Sequence, residues 1–177
     1  IVATPDEVGM AYREAFFTTA DGVRLTGWHL PLEEARGTVL FCHGNAGNIS
    51  HLMPDVRAMH ALKLSVFLFD YRGYGISEGE PTEMGTHLDA AAAWAYLVAE
   101  RGVDPARIIV VGRSLGVAVG LPLGLSLGLP LGELDGLALG LPDGAFDGAA
   151  VEAVDADGAV WLLVDSVSQV APRQVRS

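Results

Sequence analysis

Four β-branched residues, Ile108 to Val111, run without a break into G-R-S-L-G, Gly112 to Gly116. A short apolar run of this kind reads as a buried strand, and G-x-S-x-G directly behind a strand mounts its serine on a sharp strand-to-helix turn. Gly112 and Gly116 give room for that turn. The N–H of Leu115, at the start of the following helix, is placed to donate to a developing oxyanion. A chain carrying this element needs a strand before it and a helix after it. Ser114 is therefore a candidate nucleophile. Such a serine needs an imidazole base, and all five histidines (positions 29, 43, 51, 60 and 87) precede it.

The upstream residues supply the matching alternation. Ala15 to Thr19 and Val23 to Leu30 flank A-D-G and predict a β-hairpin. T-V-L-F-C (Thr38 to Cys42) and S-V-F-L-F (Ser65 to Phe69) predict buried strands. Between them, Leu52, Val56 and Met59 recur at helical spacing over Ile49 to Leu62. Thr86 to Arg101 is alanine-rich and ends at Gly102, which predicts a helix. Strands alternating with helices imply a mostly parallel sheet covered on both faces.

Two further strand ends open into glycine-rich turns. F-C-H-G-N-A-G-N (Phe41 to Asn48) follows one strand and precedes a helix, the place from which a second oxyanion donor comes, here the N–H of Asn45. It lacks the Lys-Ser/Thr and G-x-G-x-x-G signatures of nucleotide binding. His43, at the strand end, reads as a structural imidazole. In F-D-Y-R-G-Y-G-I-S-E-G (Phe69 to Gly79), Asp70 and Arg72 are expected to pair locally, and Tyr71 and Tyr74 to wall a pocket. The other histidines read as surface or capping residues. They show no ligand spacing, so no metal and no other cofactor is expected.

After the turn serine the character changes. Glycine occupies every fourth position from 120 to 148, and leucine every odd position from 121 to 131. Glycine costs about 0.8–1 kcal/mol and proline about 3 kcal/mol relative to alanine inside a helix, so Pro122 and the glycines are expected to damage the helix behind Ser114. Prolines sit no better inside a strand. The tract reads as low-complexity sequence. Its longest uncharged run, Ser114 to Gly132, holds five glycines and two prolines and does not read as a membrane span.

Half of the 177 residues are apolar and 19% are charged, so the chain is globular in character. A net charge of −11 with no basic cluster argues against nucleic acid as a partner. A lone cysteine, Cys42, excludes an internal disulfide. The first residues show no leader or anchor. Membrane association is expected only through an N-terminal anchor outside this sequence, and location, cytoplasmic or membrane-anchored, stays open.

Together H-G-N-A-G-N (His43 to Asn48), D-Y-R-G-Y-G-I-S-E-G (Asp70 to Gly79) and G-R-S-L-G resemble the α/β-hydrolase superfamily. Within it they resemble the serine aminopeptidase-like group that includes membrane-anchored esterase- and thioesterase-like members. The resemblance covers roughly residues 1–120. It implies the N-terminal part of an α/β-hydrolase fold: a mostly parallel central sheet, an antiparallel N-terminal hairpin and helices on both faces. Residues 1–177 would form one partial domain, with the tract at 120–148 and a poorly matching tail at 149–177. It further implies a serine hydrolase of ester, thioester or amide bonds and a small-molecule or acyl substrate. Ser114 would be the nucleophile, and Asn45 and Leu115 the oxyanion donors.

Triad order in this fold is serine, acid, histidine. Asp165, at the end of the strand-like Ala159 to Val164, is a candidate acid. Trp161 to Ala171 more closely resembles the group's connector before the acid-bearing strand, with L-D-G-L-A-L (Leu134 to Leu139) faintly like the strand after the elbow helix. On that reading both acid and base lie beyond Ser177, and the chain itself is inactive or nearly so. The competing expectations are a hydrolase-fold binding protein without a triad, and a chain altered after the elbow with no function in this form.

Overall fold

The computed structural model describes residues 3–127 and 161–164. Six strands form one sheet in the order β1-β2-β4-β3-β5-β6. β1 (Arg13–Thr18) and β2 (Arg24–Leu30) make the expected antiparallel hairpin, closed at Thr19 by its hydroxyl bonds to Asp21 and Val23. β2 runs antiparallel to β4 (Leu64–Asp70). From there β4, β3 (Gly37–Cys42), β5 (Ile108–Arg113) and β6 (Trp161–Val164) are all parallel. β3 and β4 are buried at every residue, which is why they read as continuous apolar runs rather than alternating ones.

Helices cover both faces. α1 (Met53–Ala61) packs Met53, Val56 and Met59 against Val39, Phe41, Val66 and Leu68. α2 (Glu83–Ala99) starts at Thr82, whose hydroxyl accepts from the Gly85 N–H at 3.0 Å. It buries Ala90, Ala93, Trp94 and Leu97 in the opposite core with Leu40, Phe67 and Phe69. α3 (Leu115–Ser126) lies on that same side through Val119 and Leu123.

Two expectations change. α3 runs straight through Pro122 rather than stopping there. Small residues on its inner side allow close packing: a side chain at Gly120 would already meet Val110 at 3.1 Å. Burial against the sheet thus outweighs the missing backbone hydrogen bond. Trp161–Val164 is a strand in parallel register with Val110 to Arg113, not a connector. Most of the 120–148 tract, the 134–139 segment and the tail after Val164 lie outside the described residues.

Candidate active site at the strand-to-helix elbow

Because β3, β4 and β5 are parallel, their C-terminal ends share one edge of the sheet. The three motifs read in the sequence therefore meet there. Cys42 pairs with Gly112 across β3 and β5, so the H-G-N loop leaves the sheet beside the elbow. A Cβ at Gly44 would lie 3.6 Å from Ser114 Cβ.

Ser114 is exposed and has φ +54°, the left-handed region that an L-residue enters only at a cost of about 1–3 kcal/mol. The turn is that sharp because α3 begins directly on top of β3. A Cβ at Gly116 would fall 1.8 Å from the Cys42 carbonyl oxygen, so only glycine lets the helix start there. Beneath it the Cys42 thiol is pushed up to about 12 by burial and is chemically inert.

Asn45 and Leu115 share the wall of a cavity of about 370 Å³, completed by Tyr74, Pro81 and the first turns of α2 and α3. Neither of their backbone N–H groups has a backbone acceptor among the described residues. Leu115, as the first residue of α3, belongs to the set of N–H groups a helix leaves unpaired. Thr82, the cap of α2, and Glu83, Thr86 and His87 of its first turns form the polar side of the cavity. Residue spacing does not signal this role, since a helix face turned toward a cavity has the same spacing as one turned toward solvent.

Asp70 and Arg72 do not pair. β4 ends at Asp70, so strand alternation no longer fixes how Arg72 points. Arg72 instead donates to Asp21 at 2.7 and 3.0 Å and to Asp89 at 2.9 Å, tying the hairpin turn to α2. Those hydrogen bonds hold the Asp21 carboxyl well below its usual range, whereas burial raises that of Asp89. Asp70 faces the other way and accepts from the Ile49 N–H at 3.0 Å. Its Oδ1 lies 3.5 Å from Nε2 of His43, which is buried as expected of a structural imidazole. Tyr74 does wall the cavity, and its hydroxyl donates to the Asn45 side chain. Tyr71 is wholly buried and donates to the His43 carbonyl at 3.1 Å, so it walls nothing.

The other histidines divide. His51 accepts from the Asn48 N–H and closes that turn, and His60 reaches the Leu30 carbonyl. His29 is half-buried against Phe67 and His87 lines the cavity, so neither is a plain surface residue. Asp165 lies outside the described residues. Among the described residues no cluster of three or more ligating side chains could hold a metal, and no helix is long and apolar enough to cross a membrane.

A mostly parallel sheet with an antiparallel hairpin, helices on both faces and a left-handed serine at a strand-to-helix elbow defines an α/β hydrolase. Comparison with known proteins narrows the class. A family model described as serine aminopeptidase, S33, matches residues 33–139, more than half of the chain, and the chain belongs to that family. It is 46% identical over 120 residues to the alpha/beta hydrolase domain-containing protein WAV2 of Arabidopsis thaliana, covering 66% of this chain and 39% of WAV2. It is 39% identical over 125 residues to protein bem46 of Schizosaccharomyces pombe, covering 68% and 42% respectively. The chain thus spans about two fifths of these relatives. Among solved structures, the Pyrococcus furiosus esterase Pf2001 superposes with a TM-score of 0.62 at 31% identity, over 71% of this chain and 52% of the esterase.

Proposed function

We propose that this chain carries the nucleophile half of a serine hydrolase acting on ester, thioester or amide bonds. The observation behind this is Ser114 itself, exposed and left-handed directly before Leu115, which together with Asn45 lines a cavity. Ser114 Oγ attacks the carbonyl carbon and gives its proton to a base. The carbonyl oxygen takes the negative charge and is held by the Leu115 and Asn45 N–H groups. Collapse expels the leaving group, which takes a proton, and water then hydrolyses the acyl-enzyme. The esterase likeness and the family support hydrolysis; the bond type rests on the site.

No histidine follows Ser114 in this sequence, so the usual base is missing from it. An oxyanion hole without the triad leaves only about 10³–10⁴-fold acceleration over water. The chain is accordingly expected to react weakly or not at all with a serine-directed fluorophosphonate. Strong labelling that disappears in Ser114→Ala would refute this inactivity while supporting the nucleophile. The cavity beside the elbow also supports a second reading, a hydrolase-fold protein that binds its ligand there without turnover. Ligand binding retained in Ser114→Ala, with no labelling of the parent chain, would select it.

A further inference from the structure

The Asp70 carboxylate is buried, has no Lys or Arg partner among the described residues and touches the very loop from which Asn45 projects. Arg72 is engaged elsewhere. Two contacts join Asp70 to that loop: the Ile49 N–H at one end and the His43 ring at the other. On the Gly75 side there is no room to spare, since a Cβ at Gly75 would fall 2.0 Å from Asp70 Oδ2 and Gly75 takes φ +54°. A carboxylate held this tightly can transmit its position to the loop.

The state of the His43 ring follows from its neighbours. Nδ1 lies 2.7 Å from the Gly44 carbonyl oxygen, which only accepts, so Nδ1 carries the proton. Nε2 then presents a lone pair, buried and without a hydrogen-bond partner, toward Asp70 Oδ1. Two acceptors facing each other repel. One added proton, on either atom, turns the contact into a hydrogen bond. Tyr71 and Tyr74 pack on the ring at 4.5 and 5.4 Å and keep it from turning away.

We propose that Asp70 is a positioning residue for the oxyanion loop, acting through the Ile49 N–H and a proton-linked contact with His43. The proposal rests on the oxyanion role given above to Asn45. Burial pushes Asp70 up to about 6 and His43 down to about 4, so the proton is gained and lost near the carboxylate's value. The N-terminal amine lowers the Asp70 carboxyl, and among the described residues the other titratable groups facing it are few. They are His51 on the 3-10 turn Ile49–His51, Glu14 of β1 across a small shared cavity, and the two tyrosines of its own turn. His51 also touches Asn48, so His51→Gln serves as the control for that contact.

The test follows the backbone amides of Gly44, Asn45 and Ile49 by NMR across the range in which histidine and shifted carboxylates titrate. In the parent chain and in His51→Gln these amides are expected to titrate together near pH 6. Asp70→Asn, which keeps an acceptor for the Ile49 N–H and has no carboxyl to titrate, should abolish that titration. Persistence of the titration in Asp70→Asn, or its absence from the parent chain, overturns the proposal. If Asp70→Asn does not fold, ring nitrogen shifts of the parent chain decide the matter. His43 as the Nδ1–H tautomer changing in step with the loop supports the proposal; an Nε2–H tautomer overturns it. Fluorophosphonate labelling of Ser114 is read separately: it bears on the nucleophile alone, and absence of the loop titration from the parent chain overturns the positioning role whatever the labelling shows.

Discussion

At Gly116 a single hydrogen atom separates a working elbow from an overpacked one. The missing Cβ would occupy the position of the Cys42 carbonyl, a backbone atom that cannot move without displacing β3. Gly116→Ala is expected to lower stability by about 1–3 kcal/mol, the usual cost of overpacking, and to disturb the Leu115 N–H along with it. Thermal unfolding checks this, and an unchanged midpoint would mean that α3 does not start where it is described. The motif spelled out this demand in the sequence, because G-x-S-x-G requires small residues around its turn. The partners of single polar residues were less legible. Asp70 and Arg72 stand two apart and carry opposite charges, yet each is claimed by a residue distant in sequence: Arg72 by Asp21 and Asp89, Asp70 by Ile49 and His43. Only the fold brings those partners near.

Elements were easier to read than their ends. The hairpin, β3, β4, α2 and β5 fall where periodicity and turn residues put them, because burial on both faces writes long apolar runs into the sequence. α2 begins three residues earlier than its alanine-rich core suggests, at the Thr82 cap. α3 is the informative failure. Propensity alone argues against a helix through Pro122, but the helix is held by Val119 and Leu123 against the sheet. If packing sustains α3 against its sequence, removing the obstacle should stabilise it. Pro122 is exposed, so Pro122→Ala restores a backbone N–H without changing the core. A gain of up to about 3 kcal/mol is expected in denaturant unfolding. No gain would show that the last turn of α3 contributes nothing to the folded state.

For the molecule as a whole, buried histidines set the acid limit of stability. Burial lowers His29 to about 4, with Arg101 and Arg13 adding repulsion, and lowers His43 to about 4. In the unfolded chain an imidazole titrates near 6.5. Between these values the unfolded chain takes up protons that the folded one refuses, so stability falls as pH drops from about 6.5 to 4. Asp70 acts in the opposite sense. Its folded value of about 6 lies above the unfolded carboxylate, so its contribution is fully present below about 4 and is lost as pH rises through 6. His29 and His43 thus each contribute a decline on acidification, which Asp70 and the likewise raised carboxyls of Asp55 and Asp89 oppose. His29→Gln removes one of the two imidazoles without touching the elbow, whose residues lie at the other ends of the strands. Denaturant unfolding at a series of pH values should then show a shallower decline in His29→Gln than in the parent chain. Equal slopes would mean that His29 is protonated as readily in the folded chain as in the unfolded one.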